Sequence, residues 1–265
     1  IIIFLLCFLL GMISFIDDIK NLGTKVRLFL HFFIVSLSLI IYIEPITTNL
    51  FSAPLLYEKY IPLIICFLFV FILISWMWII NLYNFMDGID GLTALQVCTV
   101  AVCTNFLSIL GYINEEYQYF SLILFSVYLA FYQFNQSPAK IFLGDVGSIP
   151  SGYLVGFIMI SCLLTNGILL PIVIVNMYYI LDSSITLLIR FYKRDNVLEA
   201  HSDHFYQKMI RKGYQHSYVI KWIFALNSIL LILSLLSMKL PIISFIFSIL
   251  LTTALLYLFY VKKEI

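Results

Sequence analysis

The run IPLIICFLFVFILISWMWII, residues 61–80, decides the fold class because it holds no charged side chain. A run of this length crosses the hydrocarbon core of a bilayer as one α-helix. The whole chain is biased in the same direction, since 63% of its 265 residues are hydrophobic and only 11% are charged. A soluble domain carries about 25% charged residues. The sequence therefore predicts an integral membrane protein.

Eight further apolar stretches surround this run and predict an all-α, polytopic transmembrane helix bundle of about nine spans. The predicted spans are 1–16, 26–43, 61–80, 92–111, 118–135, 149–165, 168–188, 222–238 and 242–260. We expect residues 1–265 to form a single integral membrane domain, with 189–221 as its one sizeable loop. Because the chain begins at Ile1 inside an apolar run, we interpret it as N-terminally truncated.

Lysine and arginine are distributed unevenly between the two sides that alternating spans define. Thirteen of the 15 lie on one side, and only Lys59 and Lys239 lie on the other. Because basic residues accumulate in cytoplasmic loops, the richer side is predicted to face the cytoplasm. The cytoplasmic segments are then 17–25, 81–91, 136–148 and 189–221.

Five aspartates collect in the first three cytoplasmic segments. They are Asp17, Asp18, Asp87, Asp90 and Asp145. Carboxylates at a membrane boundary are costly unless they are solvated, paired or bound to metal. The alternative interpretation is that each group only marks a helix end in water. That alternative explains one pair well, but it explains three groups on one side of the membrane poorly.

The string NLYNFMDGIDGL, residues 81–92, holds the second group. A helix through Asp87 and Asp90 would place both carboxylates on one face. The glycine that follows each aspartate leaves room for another backbone or a phosphate. Asn81 and Asn84 would extend the polar face by one turn, where amides hold a sugar or a uracil edge; the alternative is that they cap or pair helices.

Two further cytoplasmic strings carry groups suited to phosphate. In KIFLGDVGS, residues 140–148, Lys140 and the glycines near Asp145 precede a predicted span, where free N–H groups favour an anion. In AHSDHFYQKMIRKGYQH, residues 200–216, the imidazoles of His201 and His204 and a basic cluster suit a diphosphate. The alternatives are a simple turn for the first string and a topological role for the second.

Carboxylates, glycines and basic residues on one side of the membrane predict a site for Mg²⁺ and a diphosphate. Mg²⁺ prefers oxygen ligands and is usually held by one or two carboxylates together with substrate phosphates. Mn²⁺ is the alternative ion, whereas zinc is not indicated because no HExxH string or cysteine pair at ligand spacing is present. We expect Asp17, Asp87 and Asp145 to converge in one pocket.

The order of these strings resembles the polyprenyl-phosphate N-acetylhexosamine-1-phosphate transferases of glycosyltransferase family 4. The resemblance rests on the aspartate pair after a span, NxxNxxDGxDGL, KxFxGDxGS and the late histidine segment, and covers residues 10–220. The form of the histidine segment looks most like the branch that initiates O-antigen and other surface glycans.

The resemblance implies transfer of N-acetylhexosamine-1-phosphate from a UDP-sugar to undecaprenyl phosphate, with release of UMP and dependence on Mg²⁺. It implies the first membrane step of a bacterial lipopolysaccharide O-antigen or cell-wall polymer, at the cytoplasmic face of the inner membrane. The expected site residues combine the resemblance with the strings above. They are Asp17, Asp18, Asp87 and Asp90 as catalytic groups, Asp145 as metal ligand, and Asn81, Asn84, Lys140, His201, His204 and Arg211 as substrate-binding groups.

The alternatives are a secondary transporter and a non-catalytic relative of the family. A transporter keeps its carboxylates near the middle of the bilayer, and only Asp182 lies inside a predicted span. Its role stays open between a functional group and a structural partner. The expected partners are the UDP-sugar, undecaprenyl phosphate and the lipid bilayer; a homodimer is left open, and no nucleic acid is expected.

Overall fold

The computed structural model describes residues 2–20, 22–42, 61–196 and 201–263, which form eleven α-helices and no β-strand. The all-α class is therefore confirmed for this part of the chain. In chain order the helices are α1 (Ile2–Lys20), α2 (Thr24–Tyr42), α3 (Ile61–Met86), α4 (Leu92–Ile109), α5 (Glu116–Asn135), α6 (Gly144–Asn166), α7 (Leu170–Val175), α8 (Met177–Tyr192), α9 (Phe205–Arg211), α10 (His216–Leu236) and α11 (Pro241–Val261).

Six of the described helices, α1, α3, α4, α6, α10 and α11, are long and apolar enough to cross a bilayer. The chain is therefore a multi-pass membrane protein, but the predicted count of nine spans is not confirmed. The predicted span 168–188 is interrupted at Asn176, which separates α7 from α8. The predicted loop 189–221 is partly helical, because α8 reaches Tyr192 and α9 lies inside the loop; residues 197–200 lie outside the described residues.

The chain divides into two compact units. The first comprises Ile1–Asn84 with Leu143–Gly167, and the second comprises Phe85–Phe142 with Ile168–Ile265. The boundary at Asn84 and Phe85 falls inside α3. The expectation that residues 1–265 form a single membrane domain stays a prediction.

Small residues and one aromatic pair hold the first unit together. The Trp76 indole of α3 donates to the Tyr153 carbonyl oxygen of α6 at 3.0 Å, and the two rings stack at 5.1 Å. The Tyr153 hydroxyl is 2.7 Å from the Ser38 hydroxyl of α2. Gly152 lies against the α3 backbone, so these helices approach more closely than larger side chains would permit.

Buried amides stabilise the second unit around the interruption between α7 and α8. The Gln96 amide of α4 donates to the Val175 carbonyl oxygen at 2.9 Å and to Asn176 Oδ1 at 3.2 Å. Asn227 of α10 donates to Gln96 Oε1 at 2.9 Å. Because a helix break leaves backbone groups unpaired, polar side chains from neighbouring helices must bond them inside a membrane protein.

Gly152→Ala tests the close approach of α3 and α6. An added Cβ would lie 2.7 Å from Ile80 Cα and 2.9 Å from the Ile79 carbonyl oxygen, so the backbone must move. We expect a loss of about 1–3 kcal/mol in unfolding free energy, the usual result of overpacking. Thermal unfolding of the purified protein in nanodiscs measures it.

Gly11→Ala is the matched control within the same unit. Its added Cβ would lie 3.5 Å from the nearest atom, the Val146 carbonyl oxygen, which is an ordinary contact. The control should stay within about 0.5 kcal/mol of the wild type. Equal stability of both variants would contradict the close helix contact.

Candidate active site

Arg27 joins two of the predicted active-site aspartates within the first unit. Its Nη1 atom lies 3.1 Å from Asp17 Oδ2 and 3.0 Å from Asp145 Oδ2. The Asn84 amide donates to Asp145 Oδ1 at 2.7 Å and to the Ser148 hydroxyl at 3.1 Å. We call these five residues the Arg27 cluster. Two carboxylate oxygens from distant parts of the chain thus converge on one cationic nitrogen.

Helix ends position the charged members of this cluster. Asp17 lies in the last turn of α1 and is 8% exposed, whereas Arg27 lies in the first turn of α2. Asp145 lies in the first turn of α6, because that helix begins at Gly144 rather than near residue 149 as predicted. Gly144 has a φ of +59°, which favours glycine. The free N–H groups of a first turn stabilise a carboxylate there.

The oxygens of Asp17 and Asp145 fit a hard divalent cation such as Mg²⁺. Across the described residues, no group of three or more histidine, cysteine or acidic side chains is arranged to hold a metal. Mg²⁺ does not require such a group, because one or two carboxylates suffice when phosphates and waters complete its shell. The Arg27 cluster supplies two carboxylates directed to one cationic position.

The segment from Asp87 to Gly91 forms a turn in the second unit, so the expectation that a helix places Asp87 and Asp90 on one face is wrong. Helix α3 ends at Met86, and Gly91 has a φ of +80°, which stops helical continuation. Asp90 Oδ2 accepts from the Ala139 N–H at 3.2 Å and lies 3.2 Å from His216 Nδ1. These contacts fix the turn against the start of α10.

Asp182 accepts four hydrogen bonds inside the second unit, although it is fully buried. Oδ1 accepts from the Phe205 N–H at 3.1 Å and from Thr186 at 3.3 Å, and lies 3.1 Å from His204 Nδ1. Oδ2 accepts from the Tyr178 hydroxyl at 3.2 Å. We call these five residues the Asp182 cluster. These hydrogen bonds compensate the carboxylate for the hydration it loses, because burying a charged group without partners costs free energy.

A second ion pair attaches the histidine segment to α8. Arg190, which is 9% exposed, donates to Asp203 Oδ2 at 2.6 Å and to the Asn196 carbonyl oxygen at 2.7 Å. Arg211 lies 3.6 Å from the other Asp203 oxygen and donates to Ser202 at 3.1 Å. Partial burial raises the pKa of Asp203, but the Arg190 hydrogen bond and charge outweigh it, so the pKa lies below its ordinary value.

His201 and His204 occupy different environments despite their similar sequence setting. His204 is 1% exposed, whereas His201 is half-buried; their rings stack at 5.1 Å. Partial burial lowers the pKa of His201, and the nearby charges of His204 and Arg190 lower it further. Of these two histidines, His201 is therefore the one that a solvent-borne group reaches.

The remaining predicted site residues lie outside the Arg27 and Asp182 clusters. Asp18 and Lys140 are exposed, and Asp87 is half-buried. Asn81 donates to the Met77 carbonyl oxygen one turn earlier in its own helix at 2.7 Å, so this bond neither caps a helix nor links two helices. The predicted convergence of Asp17, Asp87 and Asp145 involves both units and stays a prediction.

Sequence reasoning did not select three ionisable residues that make these contacts. Arg27 was counted only toward topology, although it lies nine residues after Asp18. His216 and Asp203 lie within the histidine segment, but neither was selected as a site residue. One signal was available: Tyr178, Asp182, Thr186 and Arg190 recur every four residues and so share one face of α8.

Comparison with known proteins relates the chain to one family of transferases. The family described as Glycosyl transferase family 4 matches residues 1–163. A phospho-N-acetylmuramoyl-pentapeptide-transferase of Lactococcus lactis subsp. cremoris is 34% identical over 116 residues, which is 43% of this chain and 33% of that protein. The corresponding transferase of Streptococcus pyogenes is 30% identical over 194 residues, 69% of this chain and 54% of that protein.

A longer alignment relates the chain to a probable undecaprenyl-phosphate N-acetylglucosaminyl 1-phosphate transferase of Bacillus subtilis. The two are 25% identical over 244 residues, which is 84% of this chain and 63% of that protein. The chain thus spans between about one third and just under two thirds of the length of these relatives.

Asp203→Asn tests the ion pair with Arg190 by its pH dependence. Because the pKa of folded Asp203 is depressed, the pair stabilises the protein above the ordinary carboxyl pKa of about 4. This stability is lost as the pH falls through the lower folded pKa. The variant should therefore unfold at a lower temperature than the wild type at pH 7 and pH 5, with a smaller difference at pH 3.

Asp195→Asn is the control, because Asp195 is exposed and lies three residues after the end of α8, the helix that carries Arg190. It should unfold like the wild type at all three values of pH. A difference between Asp203→Asn and the wild type that stays constant from pH 7 to pH 3 would contradict the role of the ionised pair.

Proposed function

Because the chain belongs to glycosyl transferase family 4, we propose that it transfers N-acetylhexosamine-1-phosphate from a UDP-sugar to undecaprenyl phosphate and releases UMP. It is a multi-pass membrane protein related to polyprenyl-phosphate sugar-1-phosphate transferases. The observation that carries the proposal is the convergence of Asp17 and Asp145 on Arg27 Nη1. This geometry suits a reaction in which cations neutralise a diphosphate.

Asp145 is the proposed principal Mg²⁺ ligand, and Asp17 supplies the second carboxylate of the same position. When bound, Mg²⁺ supplies positive charge that stabilises the negative charge of a diphosphate undergoing substitution. Asn84 holds the other oxygen of Asp145 and thereby fixes the orientation of that carboxylate. Arg27 brings a permanent positive charge to the same place, and guanidinium groups bind phosphate oxygens well.

The proposed reaction is a substitution at the sugar-linked phosphorus of the donor. A lipid phosphate has its second pKa near 6, so at neutral pH it is largely a dianion and requires little help from a base. Its oxygen forms the new bond to phosphorus, while the bond to the bridging oxygen breaks and UMP leaves with the electron pair. Asp17 or Asp18 orients the acceptor or accepts a residual proton.

A covalent aspartyl-phosphosugar intermediate is the alternative route. In that route an aspartate oxygen attacks the phosphorus first, and the lipid phosphate displaces the aspartate afterwards. Rapid quenching with a labelled donor distinguishes the two routes, because only the covalent route leaves labelled sugar-phosphate on the protein.

The proposed setting is the cytoplasmic face of a bacterial inner membrane, in the first membrane step of lipopolysaccharide O-antigen or a cell-wall polymer. The excess of lysine and arginine on one predicted side supports this orientation. Further residues are proposed to serve catalysis or substrate binding. They are Asp87, Asp90, Asn81, Lys140, His201, His204 and Arg211. A transporter role has less support, because Asp182 is already engaged by four donors within its own unit.

Asp145→Asn tests the transferase proposal. Membranes or nanodiscs with undecaprenyl phosphate receive a panel of UDP-sugars, and released UMP is measured with and without Mg²⁺. The wild type should release UMP with one or more of these sugars, and the variant should lose roughly 10²-fold or more of the rate. The loss follows from weaker charge neutralisation at the Arg27 cluster.

Glu116→Gln is the control, since this exposed residue begins α5 and belongs to no proposed site. It should keep the wild-type rate. The proposal fails if the wild type releases UMP from no UDP-sugar, or if Asp145→Asn releases it as fast as the wild type.

Arg27→Gln tests whether the guanidinium and the divalent cation share one position. Removing the positive charge should tighten Mn²⁺ binding about fivefold, because about 1 kcal/mol of repulsion disappears. Electron paramagnetic resonance of free Mn²⁺ measures this without turnover. Arg27→Lys keeps the charge and should bind Mn²⁺ like the wild type; equal affinity of the Gln and Lys variants would contradict a shared position.

A further inference from the structure

Asp182 is a buried ionisable group that the proposed reaction does not yet use. It lies on α8, and its nearest ring nitrogen belongs to His204, which is also buried. A carboxylate bonded to one nitrogen of an imidazole sets the tautomer and orientation of the ring. An ionised Asp182 accepts from Nδ1–H, so the proton is kept on Nδ1 and the ring is held in one orientation.

The orientation of His204 determines the surroundings of the accessible His201. The His201 ring stacks on His204 at 5.1 Å with an interplanar angle of 30°, and lies 6.5 Å from the Phe85 ring. The backbone immediately after His204 is fixed as well, because the Phe205 N–H donates to Asp182. One buried carboxylate therefore sets the position of the half-buried His201 imidazole.

The same contacts continue to the segment that carries Asp87. His204 stacks on Tyr206 at 5.8 Å and 17°. The Tyr206 hydroxyl donates to the Phe85 carbonyl oxygen at 3.1 Å and accepts from the Gly88 N–H. A Cβ at position 88 would overlap this hydroxyl. Tyr206 thus contacts the chain on both sides of Asp87, at Phe85 and at Gly88.

We propose that Asp182 is a positioning residue, which acts through His204 to align the His201 imidazole and the Asp87 segment for sugar-phosphate transfer. The inference rests on the proposed function for its catalytic consequence. Its structural part, the dependence of His204 on Asp182, is independent of that function. Asp182 itself contacts no substrate, because its oxygens are occupied and it is fully buried.

Asp182→Asn keeps the shape of the side chain and removes its charge. It should lower kcat about 10- to 100-fold, as small misplacements of reacting groups do. The KM for the UDP-sugar should change by less than about threefold, since the alignment matters in the transition state more than in binding. Thr186→Val is the matched control: it removes another hydrogen bond to the same oxygen but leaves the His204 contact.

The unfolding temperature of each variant is measured alongside its kcat, so that a loss of folded protein is distinguished from a loss of alignment. Thr186→Val should lower the unfolding temperature and retain kcat. A kcat that falls equally in Asp182→Asn and Thr186→Val would overturn the proposal, because a general loss of packing would then explain both.

A double-mutant cycle tests whether Asp182 acts through His204. If it does, Asp182→Asn combined with His204→Gln should have a kcat close to that of the more impaired single variant. If the two substitutions act independently, the fold-losses in kcat should multiply in the double variant. That result would overturn the inference. If Asp182→Asn does not fold, Asp182→Glu takes its place, since its longer side chain keeps the charge and displaces His204.

Chemical labelling of histidine with diethyl pyrocarbonate separates this inference from the proposed function. In the full-length wild-type chain, mass spectrometry should find label on His201 and none on His204. In Asp182→Asn or Asp182→Glu, His204 should become labelled, and an unlabelled His204 would overturn the inference. Absence of UMP release in every variant, including the wild type, would count against the proposed function, while the labelling result would still decide the role of Asp182.

Discussion

A carboxylate next to a bilayer must find its compensating charge or hydrogen bonds within the protein, and the structure depends on this constraint. Asp17 and Asp145 are compensated by the guanidinium of Arg27. Asp182 is compensated by hydroxyl, backbone and imidazole groups. In each case the carboxylate draws together different segments of the chain, because an uncompensated charge at a membrane boundary is costly.

The two kinds of compensation have different chemical consequences. In the Arg27 cluster the partners are charges at half-exposed helix ends, so an arriving cation or phosphate changes the balance directly. In the Asp182 cluster the partners are fixed dipoles on packed elements, and exchange with solvent is prevented by burial. The first arrangement suits binding and reaction, whereas the second suits rigid placement of the groups around it.

Helix interruptions follow the same constraint. At Asn176 the backbone leaves the helical path inside an apolar region, and the Gln96 amide bonds the Val175 carbonyl oxygen there. Asn227 in turn donates to the Gln96 side chain. At Gly91 the chain turns because glycine adopts a positive φ, and Asn135 accepts the Gly91 N–H at 2.9 Å. In both places a polar side chain bonds a backbone group where regular helical bonding ends.

The sequence alone was sufficient for the membrane class, the all-α architecture and the family, because these depend on composition, on run length and on strings such as NxxNxxDGxDGL. It also selected Asp17, Asn84 and Asp145 as candidates, since charged and amide groups at span ends are conspicuous against an apolar background, and these three lie in one cluster. The start of α6 at Gly144 was not predicted, because the glycines, Asp145 and Ser148 are typical of a turn before the apolar run. The interruption at Asn176 was not predicted, because the sequence is apolar on both sides of it.

Only the tertiary structure decided which partners these residues have. Arg27 looked like one of thirteen topological cations until folding brought it between two aspartates, and the role of Asp182 stayed open until His204 and Phe205 were found against it. The physical reason is that pairing depends on distances between residues as far apart as Arg27 and Asp145. Hydrophobic patterning specifies which residues enter the membrane, but the packing of side chains specifies which charges meet there.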